Sequence, residues 1–163
     1  MKTFKLSDGR TVTEKEAKEI IFNAFNIIRD IPGLPMKNRI RAFEEIKGMI
    51  PGWKVVGITN GALEIFKKLD YSRPPGRGEL GVNRSHKYSR TETYRLMFEQ
   101  GEWEFEEFWN FIESRDTTVL ATVNENYSKG EEVSDHDVPD GLFEAYGFAY
   151  RVDEKEIEFL KSL

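Results

Sequence analysis

Two histidines carry all the imidazole chemistry open to this chain, and each sits in a distinctive setting. His86 lies in Arg84-Ser85-His86-Lys87, where neighbouring cations favour the neutral ring that can accept a proton, the form a general base needs. His136 lies in Ser134-Asp135-His136-Asp137, where adjacent carboxylates add hard oxygen ligands, so Asp135, His136 and Asp137 are candidate ligands for Mg or Mn. Asn124, just past a β-branched run at residues 117–123, is a candidate for orienting a water or a phosphate. With no cysteine, thiolate nucleophiles, disulfides and thiolate zinc sites are excluded.

The densest cationic stretch surrounds the first histidine. Residues 73–90 hold Arg73, Arg77, Arg84, Lys87 and Arg90, with Glu79 the one acid and glycines at 76, 78 and 81. Guanidinium forks match phosphate oxygens in pairs, and glycines let a backbone approach a ligand closely, so this segment reads as a phosphate or nucleic-acid grip. No Walker lysine and no dinucleotide fingerprint accompany it. A base at His86, an orienting Asn124 and metal ligands at 135–137 would supply the parts of a metal-assisted phosphodiesterase. Their order follows that of an HNH site, but two predicted helices separate the first two elements and no local hairpin joins them. A helix-turn-helix reading of residues 53–69, with Asn60, Lys67 and Lys68 exposed, is the weaker route to the same ligand.

Charge supports a second class of function. Residues 1–98 carry 19 Lys and Arg against 11 Asp and Glu, and residues 99–163 carry 5 against 18. Glu99, Glu102, Glu104, Glu106, Glu107 and Glu113 gather around one predicted helix, a row suited to a basic protein partner.

These residues need elements to position them. Phe4 and Leu6 alternate with polar neighbours ahead of Asp8-Gly9, which predicts a hairpin over residues 3–13. Thr13 with Glu16 has capping-box spacing, and apolar residues at helical period follow to Arg29. A second helix is expected over 36–49, between Pro32-Gly33-Leu34-Pro35 and Pro51-Gly52, then a strand over 53–58 and a helix capped by Thr59. Residues 71–79 read as a loop, which places Arg84 to Tyr88 at the N-terminal end of a helix capped by Ser89. Further expectations are a helix over 104–114, a strand over 117–123, a mobile loop from Asn124 through Glu132, a short helix near Gly141, a strand over 148–152 and a last helix capped by Asp153.

The fold class expected is α+β, a helical N-terminal part after a short β-hairpin packed with a small mixed α/β C-terminal part. At 163 residues the chain reads as a single domain, with a helical lobe 1–70 and an α/β lobe 71–163 as the alternative subdivision. No apolar run approaches a membrane span, so a cytoplasmic protein that binds DNA or RNA, or alternatively a basic protein, is the expectation.

Overall fold

The computed structural model describes residues 1–127, 134–146 and 149–163. The chain begins with the expected hairpin: Thr3–Lys5 (β1) pairs antiparallel with Thr11–Thr13 (β2), and Gly9 takes φ 88° in the turn. Helix α1 (Glu14–Arg29) opens on a complete capping box, with Thr13 Oγ1 accepting from the Glu16 amide at 3.2 Å and the Glu16 carboxylate accepting from the Thr13 amide at 2.7 Å. Then follow α2 (Met36–Lys47), β3 (Lys54–Ile58), α3 (Asn60–Lys68), β4 (Val82–His86), α4 (Arg90–Gln100) and α5 (Phe105–Arg115). The remainder comprises β5 (Thr117–Thr122), α6 (Val123–Tyr127), β6 (His136–Asp137), β7 (Ala145–Tyr146), β8 (Ala149–Tyr150) and α7 (Glu154–Ser162). The class is α+β, with an N-terminal hairpin, a helical part and a mixed sheet.

Several expectations change. Residues 82–86 form a strand, because Val82 and Ser85 are buried where a loop would leave them wet. Asn124 to Asn126 lie within the short helix α6; Lys129 to Glu132 fall outside the described residues. The segment around Gly141 is a turn, with Gly141 at φ 86° and Phe143 at φ 54°. Of the strand expected over 148–152, Ala149 and Tyr150 are strand; Phe148 lies outside the described residues.

Two units organise the contacts, and each is discontinuous in sequence: Met1–Gly52 with Ser89–Arg115, and Trp53–Tyr88 with Asp116–Leu163. Residue 71 falls inside the second unit, since β3 and β4 are both tied to β5 from much later in the chain. The first unit is helical around Phe25. Its ring stacks on Phe98 at 4.5 Å and meets Phe43 and Phe108 edge-on at 5.3 and 5.0 Å. Each such fully buried phenylalanine stabilises the fold by about 1.5–3 kcal/mol relative to an exposed one. The α5 stripe is core as its spacing implies, with Phe108, Trp109 and Ile112 buried and Phe105 partly so.

The second unit is built on a four-stranded sheet of order β4-β5-β3-β6. Strand β5 runs parallel to β3 and antiparallel to β4, and β6 lies antiparallel on the far side of β3. Helix α3 leaves β3 directly through the Thr59 cap, whose Oγ1 accepts from the Ala62 amide at 3.0 Å. Residues 53–69 are therefore a strand followed by a helix, and the helix-turn-helix reading does not hold.

Strand β6 can lie against β3 because position 57 has no side chain. A Cβ on Gly57 would stand 2.0 Å from Ser134 Oγ and 2.6 Å from Ser134 Cβ. Gly57→Ala is expected to cost about 1–3 kcal/mol in urea unfolding, the range for overpacking a tight site. Because the obstructing atoms belong to one side chain, Ser134→Gly should recover most of that loss in the double variant.

Candidate functional site

Register on β5 decides which candidate residues can meet. His86 lies opposite Thr118 and Val82 opposite Thr122, so the two ends of the β4–β5 ribbon are four residues apart, about 13 Å at strand rise. Asn124 follows Thr122 and therefore belongs to the end away from His86. His136 lies opposite Ile58, the last residue of β3, and so joins the Asn124 end. The predicted constellation is thus divided: His86 and Lys87 at one end of the sheet, Asn124, Asp135 and His136 at the other.

At the His86 end the organising residue is Trp53, just ahead of β3. Its backbone has φ 66°, a left-handed conformation costing on the order of 1 kcal/mol for a non-glycine residue. The indole meets the Arg84 guanidinium at 4.8 Å and the edge of the His86 ring at 4.8 Å and 81°. Arg84 and His86 are two residues apart on β4, which strand alternation puts on the same face. Thr118 fixes the start of β3 by donating from Oγ1 to the carbonyls of Trp53 and Lys54 at 3.2 and 3.3 Å. Burial pushes the Arg84 guanidinium below its ordinary value, while Asp116 and then Tyr150 act in the opposite direction.

The other end is a network of polar side chains at the carboxyl ends of the parallel pair β3 and β5. Thr59 Oγ1 donates to Glu125 at 2.8 Å, and the same carboxylate oxygen accepts the Thr122 amide at 2.8 Å. The neighbouring Asn60 receives the rest: its amide donates to Asp135 at 2.7 Å and its Oδ1 lies 2.8 Å from His136 Nε2. Two metal candidates are therefore engaged with Asn60. Alternation along β6 sends His136 and Asp137 to opposite faces, so the three predicted ligands do not converge. Among the described residues no group of three or more His, Asp or Glu is placed to hold a metal ion.

The cationic stretch is likewise not one loop. Arg73 and Arg77 are exposed on the segment leading into β4, Arg84 is half-buried on the strand, and Lys87 is exposed just beyond it. Arg90 opens α4 in the first unit, where it pairs with Glu44 at 3.3 Å. Strand β4 is an edge strand, so Arg84 lies at the border of the sheet, with Arg73 and Arg77 ahead of the strand and Lys87 just after it. Its glycines have separate duties. Gly78 takes φ 80° in a turn closed by Gly81 N–H to Gly78 O at 3.0 Å. A Cβ on Gly81 would come within 2.4 Å of Val123 Cγ2, so this glycine serves the packing of β4 against α6.

Sequence reasoning missed Trp53 as a site residue and missed the Asn60–His136 contact. Pro51-Gly52 ahead of Trp53 marked a break and no more; a hydrogen bond across 76 positions leaves no local trace. No family model, curated protein or solved structure matches the chain. No helix among the described residues is long and apolar enough to cross a membrane.

Tyr150 anchors the start of β4 by donating to the Val82 carbonyl at 3.3 Å, and burial raises its phenol well above the ordinary value of 10.0. The neutral phenol is the form the fold accommodates. Its stabilisation is fully present below pH 10 and is lost as pH rises above that, where the unfolded chain ionises and the folded one does not. Tyr150→Phe should cost about 1 kcal/mol at neutral pH. In unfolding measured from pH 8 to 11 the variant should show a shallower alkaline decline than the parent.

Proposed function

We propose that the second unit binds a nucleic acid along strand β4 and the segment leading into it, with Arg73, Arg77, Arg84 and Lys87 as its phosphate contacts. One observation carries this reading. Arg73, Arg77 and Lys87 are exposed and form no ion pair with any described residue, in a chain with 29 acids to 24 bases. Other cations do pair with acids, the half-buried Arg95 with Glu92 and Glu99, the half-buried Lys18 with Glu14 and Glu113 and the exposed Lys54 with Asp140. Lys2, Lys37, Arg41, Lys68 and Lys155 are exposed as well, and what distinguishes Arg73, Arg77 and Lys87 is that they flank a single strand. Arg84, braced on Trp53, supplies a fourth cation whose planar group is already oriented, and less freedom is lost when it meets a phosphate.

Phosphate contacts release condensed counterions, so affinity should fall steeply with salt. In a titration of labelled DNA or RNA, the triple variant Arg73→Ala/Arg77→Ala/Lys87→Ala should bind more weakly on every sequence. Its slope of log affinity against log salt should be shallower by about 1 for each contact removed. An unchanged affinity and slope in the triple variant would refute the reading.

Metal-assisted phosphodiester hydrolysis is the finer form of the same proposal. It is supported by His86 lying on the same face of β4 as Arg84, one of the proposed phosphate contacts. The register that holds His86 and Asn124 at opposite ends counts against a direct partnership between them. Cleavage of single- and double-stranded DNA and RNA with Mg or Mn should be at least about a hundredfold slower in His86→Ala, the usual worth of a general base. Equal cleavage by parent and variant would remove His86 from the chemistry.

A further inference from the structure

The first unit contains a cavity of about 560 Å³ whose walls combine aromatic and acidic residues. The aromatic residues Phe22 and Trp103 line it together with Asn26 and the acidic residues Glu102, Glu104 and Glu107, and Arg29 is the one cation among the lining residues. That arginine is already committed. Its Nε and Nη2 donate to the two carboxylate oxygens of Asp30 at 2.9 and 3.1 Å, and Nη1 donates to Asn26 and to the Gly101 carbonyl, both at 3.0 Å. Glu102 lies within the electrostatic reach of Arg29, but none of the three glutamates forms an ion pair with a described residue, and all three are exposed.

The aromatic walls are fixed in place. Trp103 Nε1 donates to the Met97 carbonyl at 2.9 Å and its ring rests on Phe111 at 5.1 Å. Phe22 is held edge-on by Phe105 at 5.4 Å and by Phe108 at 5.0 Å. Half-buried rings held by the core, beside three exposed glutamates that form no ion pair with a described residue, make a recess for a group with an apolar stem and a positive head. Ring faces attract the head through their quadrupoles and cover the stem, while the carboxylates supply the counter-charge. A phosphate or a carboxylate ligand is repelled by the same three glutamates, which separates this recess from the cationic strand of the second unit.

We propose that this cavity takes a lysine or arginine side chain from a basic peptide segment of a partner protein. The shared chemistry is an alkylammonium or alkylguanidinium cation. A peptide is favoured over a free polyamine because Glu102, Glu104 and Glu107 are all exposed, with Glu106 exposed beside them, so that cations flanking the inserted side chain also find counter-charge.

The test uses the full chain and a fluorescein-labelled octalysine peptide, read by anisotropy, with the fully acetylated peptide and spermidine as comparison ligands. Octalysine should bind, the acetylated peptide should not, and spermidine should compete only at concentrations well above that of octalysine. Glu104→Gln/Glu107→Gln should weaken octalysine binding roughly fivefold or more. The control Glu45→Gln/Glu158→Gln removes the same charge from exposed positions elsewhere and should leave affinity nearly unchanged. Phe22→Leu, which keeps every charge, should also weaken binding severalfold while circular dichroism shows an intact helical fold. Equal losses in the two glutamine pairs, or binding insensitive to Phe22→Leu, would reduce the effect to bulk electrostatics and overturn the proposal. Failure of octalysine to bind the parent would also overturn it, and competition by spermidine at the peptide's own concentration would overturn the choice of a peptide.

Discussion

Strand β5 is the constraint on which the second unit rests. Among the described residues it is the one strand paired on both sides with long neighbours, β3 in parallel and β4 antiparallel, and Thr118 through Ala121 are completely or almost completely buried. A strand in that position must satisfy its backbone through both ladders and leave no side-chain polar group stranded. The sequence Thr117 to Thr122 does this with a run of small and β-branched residues in which the one fully buried hydroxyl, on Thr118, donates to the carbonyls at the start of β3. Parallel pairing requires a crossover, and here that crossover holds α3, β4, α4 and α5. The first unit draws α4 and α5 from inside it, which is why both units are discontinuous.

The same register sorts the polar residues into two groups with different chemistry. At the amino ends of β3 and β5, a strained Trp53 backbone presents its indole to Arg84 and His86, an aromatic and cationic combination. At their carboxyl ends, Thr59 and Asn60 tie Glu125, Asp135 and His136 into a mutually satisfied network. A side chain whose hydrogen bonds are met inside the protein is held rigidly, and a ligand must replace those bonds before it gains anything. The exposed cations flanking β4 face no such cost.

Charge shows most clearly how folding redistributes what the chain carries in blocks. Along the sequence the first 98 residues are strongly basic and the rest strongly acidic, yet the first unit holds 13 Lys and Arg against 14 Asp and Glu and the second 11 against 15. The block contrast disappears because both units combine segments from either side of residue 98. What survives is local: the exposed cations Arg73, Arg77 and Lys87 on the segments flanking β4, and a recess in the first unit lined by Phe22, Trp103 and three glutamates. Glu99 and Glu113, which belong to the acidic row in sequence, are taken up by Arg95 and Lys18.

Features governed by neighbours a few positions apart were legible in the chain itself. The Asp8-Gly9 turn, the Thr13–Glu16 box, the Thr59, Ser89 and Asp153 caps and the apolar stripe of α5 are all local bargains between side chains and the nearest backbone groups. The α+β class followed from the order of those elements. Strand β4 was not legible, because Arg84 and His86 make it look like a solvated loop until Trp53, 31 and 33 positions away in sequence, covers one face. Which end of the sheet receives His86 and which receives Asn124 depends on a pairing between residues 82–86 and 118–122 that no spacing rule encodes. Tertiary structure alone decided it, since strand register is set by the burial of both faces at once and that is a property of the assembled sheet.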